Sequence, residues 1–217
     1  GDVPHALRLR TVQFTDRDGV VHAEERATIG EHLAAEVRRR PEDLAAHTYP
    51  PNLPPDLLDR QLQELTETIA ERLGVRPTTY RAGRNGFDGG TLPILERLGY
   101  TVDTSVDPLF NERRKGGMAF AGAPVVPYHP AYDDVRRAGA STILEVPITA
   151  ATDPPLPRAI EKAYASLPAI PYRGALRRFG LQPVWLRPSY TSRARMIAFA
   201  SRLHAAGAPC FNIIFHS

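Results

Sequence analysis

Residues 78–106, TTYRAGRNGFDGGTLPILERLGYTVDTSV, carry the pattern that decides the fold. This stretch predicts a short strand at Thr78–Tyr80, a helix at Thr91–Leu98 that ends at Gly99, and a second strand at Thr101–Val106. Parallel sheets are built from such units, in which a helix connects two strands. Residues 78–106 therefore predict an α/β fold.

The sequence on either side continues this alternation. Two runs of alternating polarity around residues 15–19 predict a β-hairpin that begins with Leu7–Phe14, and regularly spaced leucines predict a helix at Leu58–Leu73. A Gly- and Pro-rich segment predicts a long loop at Pro108–Gly139. The other predicted elements are strands at Ile143–Ile148, Pro183–Leu186 and Cys210–Phe215, and helices at Thr28–Arg40, Arg158–Ala165, Tyr172–Phe179 and Ser192–Ala206. We expect parallel strands covered by helices, in one domain over residues 1–217.

Composition limits the class of protein. The chain has 217 residues, of which 42% are hydrophobic, enough for a core and too many for disorder. No apolar run approaches the roughly 18 residues of a membrane helix, so we expect no membrane span. The N-terminus has no signal-peptide pattern, and the cytoplasm and the cell envelope both stay open as locations. The single cysteine, Cys210, excludes an internal disulfide.

The charge pattern argues against a nucleic-acid partner. Lys and Arg number 27 and Asp and Glu 24, a net charge of +3, and the basic residues are scattered along the chain. A nucleic-acid-binding protein usually concentrates positive charge on one face. We therefore expect a solvated surface and no nucleic-acid ligand.

Several polar residues stand near the ends of predicted strands, where sites gather in parallel α/β folds. They are Arg81, Asp103, Arg187 and His216. A histidine directly after an apolar strand can transfer protons near neutral pH, although a terminal histidine in solvent would have the same sequence context.

The segment Arg81–Gly86, RAGRNG, is the most unusual local sequence. Two arginines three residues apart, between glycines that let the backbone turn, can hold a carboxylate or another oxyanion. The glycine spacing is not that of a phosphate-binding loop. Structural pairing of these arginines with aspartates across the sheet is the alternative.

Residues 80–108 resemble the polysaccharide deacetylase (NodB-homology) family, in which an arginine motif precedes a helix and a strand of the form GYxxDSSVxP. Further segments resemble family motifs in the same order, and the similarity runs from about residue 30 to residue 217. These segments are YPPNLP at 49–54, LEVPIT at 144–149, WLRPS at 185–189 and FNIIFHS at 211–217.

The resemblance implies a distorted (β/α) barrel, complete or incomplete, and a metal-dependent hydrolase that removes N-acetyl groups from a glycan. The implied cofactor is a divalent metal, usually zinc, held by one aspartate and two histidines. The residues that match the family motifs are assigned as follows: His216 as general acid, Arg81 as the residue that orients the catalytic aspartate, Asp103 as a further catalytic residue, His32 as a metal ligand, and Arg84, Trp185, Arg187 and Tyr190 as glycan-binding residues.

The sequence also departs from the family. The paired aspartates of its first strand, TFDDG, have only a faint counterpart at Phe14–Gly19, so residues 1–28 are treated as a divergent hairpin segment. Ala34 stands where one branch has a second metal histidine, and the spacing does not require His22 or His47 to replace it. Three functions remain open: a metal-dependent deacetylase, an impaired or partial family member that binds carbohydrate, and an α/β domain that binds an anionic ligand.

Overall fold

The computed structural model describes residues 11–15, 21–25, 49–113, 116–167 and 174–215. The chain divides into two units, residues 1–44 and 45–217, and each is described by itself. In the first unit, β1 (Thr11–Thr15) and β2 (Val21–Glu25) pair antiparallel, as expected of the predicted hairpin. The helix predicted at residues 28–40 lies outside the described residues. The expectation of a single domain stays a prediction.

The second unit begins with helix α1 (Pro55–Leu73), which the leucine spacing predicts. Pro55 suits the first helical position, where the missing backbone N–H has no helical acceptor to lose. Leu58, Leu62 and Thr66 are the buried face, and the helix ends at Gly74, whose φ of 66° is left-handed.

The central sheet is parallel, as predicted, and it has the order β3 (Thr79–Tyr80), β4 (Val102–Asp103), β5 (Leu144–Glu145). Helix α2 (Thr91–Leu98) connects β3 to β4 and buries Leu92, Leu95 and Leu98. These three leucines pack in one core cluster with the fully buried Phe87 and Ile143 and the almost fully buried Phe120. Each side chain buried in this way contributes about 1.5–3 kcal/mol to folding.

The remaining strands form a second sheet, and one prediction about it is wrong. Strands β6 (Ala150–Asp153) and β7 (Gln182–Trp185) pair antiparallel, with Ala150 opposite Trp185. Parallel strands were expected here, and β6 was not predicted at all. Apolar alternation marks a strand but not its direction, which depends on how the connecting segment returns.

Three helices accompany this sheet, and each confirms a predicted helix to within a few residues at its ends. They are α3 (Arg158–Ser166), α4 (Gly174–Arg178) and α5 (Arg193–Ala205). Helix α5 packs Phe199 against Val184 and Leu186 on and beside β7. In the described chain no helix is both long enough and apolar enough to cross a membrane.

The strand predicted at Cys210–Phe215 is not a regular strand. Asn212 donates its backbone N–H to Thr149 Oγ1, at 2.8 Å, and its side-chain amide to Val146 O, at 2.9 Å, whereas Ile214 donates to Leu186 O. The segment is therefore held between the two sheets by mixed hydrogen bonds instead of a continuous ladder.

The long loop is confirmed, since residues 108–139 contain no α-helix or extended strand among those described. The described strands make two open sheets and one hairpin, and no closed barrel occurs among them. The structure thus has the predicted α/β class.

Candidate functional site

An open cleft of about 620 Å³ lies beside the end of β3. Five segments that are far apart in sequence line it: Tyr49 before α1, the turn after β3, the start of the long loop, the residues that follow β7, and Ile214. Its polar and aromatic lining residues are Tyr49, Arg81, Arg84, Asn85, Phe110, Glu112, Arg187 and Tyr190. Four of these were predicted as site residues, namely Arg81, Arg84, Arg187 and Tyr190.

The turn after β3 presents Arg84 to the cleft through an unusual backbone. Arg84 and Asn85 both have a φ of 55°, in the left-handed region that few residues other than glycine adopt. Gly86 is required there, because a Cβ would lie 2.4 Å from Cδ of Pro50. The Arg84 guanidinium lies over the ring of Tyr49, with Cζ 5.8 Å from the ring centroid.

On the facing wall, Arg187 and Tyr190 form one stacked unit. The Arg187 Cζ lies 3.9 Å from the centroid of the Tyr190 ring, and its Nε donates a hydrogen bond to Ser189 Oγ at 3.0 Å. The Tyr190 backbone N–H closes the turn on Arg187 O. Arg187 is thereby held over an aromatic ring that is itself exposed to solvent.

Trp185 was predicted to bind glycan, but the structure places it behind the cleft wall. Its ring makes an edge contact with Tyr190, at a centroid distance of 5.8 Å, and its Nε1 donates to Asp107 Oδ2 at 3.0 Å. Trp185 also packs against Leu109, Ala150 and Ala165. It therefore supports Tyr190 from the core side and does not line the cleft.

Arg81 follows β3 directly and is exposed to the cleft. Partial burial of the guanidinium lowers its pKa, Asp103 and Asp107 oppose this shift, and the like charge of Arg187 adds to it. Arg81 makes no ion pair with a carboxylate in the part of the chain that the structure describes. Its expected pairing with a catalytic aspartate stays a prediction.

A pair of fully buried carboxyl groups lies beneath the turn. Asp103 and Glu145 are register partners at the ends of β4 and β5, and neither is exposed to solvent. Asp103 accepts hydrogen bonds from Ser105 N and Ser105 Oγ, at 2.9 and 2.8 Å, and Ser105 Oγ accepts one from Ala82 N. Asp103 thus connects to the cleft floor by hydrogen bonds through Ser105 and Ala82.

Two carboxyl groups buried side by side favour one proton held between them. Burial raises the pKa of Asp103, and burial together with the neighbouring Asp103 charge raises the pKa of Glu145 well above its usual range. Glu145 Oε1 accepts from Val106 N, and Oε2 receives no hydrogen bond from a donor in the described residues. A protonated Glu145 that donates to Asp103 satisfies both groups. Burial next to these carboxyls also raises the pKa of the hydroxyls of Tyr80 and Tyr128.

Sequence reasoning missed Glu145 and the cleft residues Tyr49, Phe110 and Glu112 as site residues. A signal for Glu145 existed, because Asp103 and Glu145 both occur within predicted strands of a parallel sheet. Tyr49, Phe110 and Glu112 lie in irregular segments, and their approach to the cleft has no local sequence signature.

The expected zinc site does not fit the described residues taken alone. Among them, no group of three or more His, Cys, Asp or Glu side chains could hold a metal ion. The predicted ligand His32 and the predicted general acid His216 both lie outside the described residues. We therefore derive no step through a metal.

Comparisons with protein-family models, with curated proteins and with solved structures find no match to this chain. The resemblance to polysaccharide deacetylases consequently rests on the sequence motifs alone.

Proposed function

We propose that the cleft binds a glycan and that the protein is a hydrolase that removes N-acetyl groups from it. One observation carries the proposal. Arg81 and Arg84 of the RAGRNG segment line one open cleft together with Arg187 and Tyr190, which lie more than 100 residues further along the chain in and beside the WLRPS segment. We would not expect residues without a common function to line the same cleft.

The lining suits a sugar chain. The exposed Tyr190 ring offers a flat apolar surface on which the apolar face of a sugar ring can pack, and Trp185 supports it from behind. Arginine side chains are hydrogen-bond donors only, and they match the hydroxyl and acetamide oxygens of an N-acetylated sugar. The cleft is also open, as a site for an extended polymer must be.

The hydrolytic part of the proposal rests on the resemblance. It assigns proton transfer to His216, metal binding to His32 with zinc as the metal, and orientation of an acidic group to Arg81. The (β/α) barrel that would gather these residues belongs to the same proposal. Asp103 is too deeply buried to touch a glycan in the cleft, so its part is to position the turn through Ser105.

The alternative is a domain that binds carbohydrate without hydrolysing it. It is favoured by Ala34 at the position of the second metal histidine and by the missing aspartate pair. Both functions use the same cleft and differ only in whether acetate is released.

Acetate release tests the proposal. The full chain is saturated with zinc and dialysed, its metal content is measured by elemental analysis, and it is incubated with N-acetylchitotetraose. We expect one metal per chain and release of acetate, and we expect His216→Ala to bind the sugar but release none. Undiminished release by His216→Ala would overturn the role of that residue. Binding in the presence of EDTA, with no acetate released by the zinc-saturated chain either, would establish the alternative.

A further inference from the structure

The cleft carries more positive than negative charge at its surface. Three guanidinium groups line it, those of Arg81, Arg84 and Arg187, against one carboxylate, that of Glu112. The other nearby acids lie beneath the surface. Asp107 is 6% exposed and accepts hydrogen bonds from Leu109 N and Trp185 Nε1. These acids can hold the arginines in place, but they leave the arginine charge facing the cleft.

Arg187 is prepared to receive a planar anion. Its ring-stacked guanidinium uses Nε on Ser189, and its two terminal amino groups have no acceptor among the described residues. A guanidinium whose terminal nitrogens are free presents the fork that pairs with a carboxylate through two parallel hydrogen bonds. Because stacking on Tyr190 already orients this fork, little side-chain entropy is lost on binding.

Arg81 and Arg187 both line this cleft, and the positive charge of Arg187 lowers the pKa of Arg81, so the two cations repel each other. They come from different segments and line the same cleft. A neutral sugar would leave this repulsion in place and would partly desolvate both cations, which costs free energy unless an opposite charge is supplied. An anionic group between them removes both costs.

We infer that the ligand is an acidic glycan, with a sugar carboxylate held between Arg81 and Arg187 and a sugar ring packed on Tyr190. This inference rests on the proposed function, because it assumes that the cleft binds a glycan, and it adds the charge of that glycan. Two effects produce the selectivity. Binding a neutral glycan desolvates the two arginines without supplying an opposite charge, whereas binding an acidic glycan forms ion pairs with them.

Two matched sugars test this inference by isothermal titration calorimetry on the full chain. One is a hyaluronan tetrasaccharide, in which N-acetylglucosamine alternates with glucuronic acid. The other is the same tetrasaccharide with its carboxylates reduced to alcohols. We expect the acidic sugar to bind about 10-fold more tightly at low ionic strength, with the preference shrinking as salt is added.

Two variants separate a specific carboxylate site from a diffuse charge effect. Arg187→Gln should abolish the preference for the acidic sugar, so that both sugars bind equally. Arg60→Gln removes the same charge from an exposed position on α1 outside the cleft and should leave the preference intact. Loss of the preference in Arg60→Gln would overturn the inference. Equal binding of the two sugars to the unmodified chain would also overturn it, and the proposed function would still stand. Binding of neither sugar, together with no binding of N-acetylchitotetraose, would overturn the proposed function itself.

Discussion

The charged groups beneath the cleft floor and those on its walls differ in burial: the carboxyl groups are buried, whereas the arginines are accessible to solvent. Beneath the floor, Asp103 and Glu145 are fully buried, and burial raises the pKa of both carboxyl groups. On the walls, the guanidinium groups of Arg81 and Arg187 line the cleft within reach of solvent. Burial penalises an ionised group, whereas partial exposure preserves it for a ligand. We therefore expect changes in the floor to alter stability and changes in the walls to alter binding.

The largest effect is expected for Asp103→Ala. The substitution removes the acceptor of two Ser105 hydrogen bonds and leaves Glu145 buried without its partner. We expect the free energy of unfolding to fall by about 3 kcal/mol, measured by urea denaturation.

Asp133→Ala is the matched control, because Asp133 pairs with Arg137 on the exposed surface. Exposed ion pairs of this kind contribute about 0–1 kcal/mol, so the control should change stability little. Equal effects of the two substitutions would show that the floor is not a stability element.

The second prediction concerns the proton on Glu145. The folded pKa of Glu145 is raised, so above the unfolded pKa of about 4.3 the folded chain keeps a proton that the unfolded chain releases. The contribution of this proton to stability is therefore fully present below that pH and is lost as the pH rises, by up to about 1.4 kcal/mol per pH unit, until the pH passes the folded pKa. The raised pKa of Asp103 acts in the same direction.

Glu145→Gln replaces the protonated acid by a neutral amide of the same shape and should flatten this pH dependence. The measurement is urea denaturation at pH 5, 6, 7 and 8. The exposed Glu64→Gln on α1 is the control and should keep the wild-type slope. A Glu145→Gln slope equal to that of wild type would show that the pair does not share a proton.

The smallest effect is expected for substitution of Tyr190 in the cleft wall. Tyr190→Ala removes the ring beneath Arg187 and the proposed surface for a sugar, so we expect binding of the acidic tetrasaccharide to weaken about 5-fold, close to 1 kcal/mol. The free energy of unfolding should change by less than about 0.5 kcal/mol, as is usual for exposed residues. Tyr190→Phe keeps the ring and should bind nearly as well as wild type. Weakening by Tyr190→Phe as large as that by Tyr190→Ala would exclude the ring as the contact surface.

The sequence predicts the strands of the central sheet better than those of the second sheet. Residues 79–103 follow the prediction closely, because the leucine spacing and Gly99 define α2 and place β3 and β4 on either side of it. In the second sheet, β7 was predicted but its antiparallel partner β6 was not. The segment at 210–215 is apolar enough to suggest a strand, yet its hydrogen bonds go to Thr149 Oγ1, Val146 O and Leu186 O.

The sequence by itself determined the local elements and the residue types at their ends. The spacing of leucines in a helix, the glycines that end helices and the two arginines of RAGRNG are all local features. They depend only on residues that are close together in the sequence. The tertiary structure alone decided that Glu145 meets Asp103, that Trp185 stands behind Tyr190, and that Arg81 and Arg187 share one cleft. The physical reason is that protonation, burial and charge pairing depend on distances through space, and those distances exist only once the chain has folded.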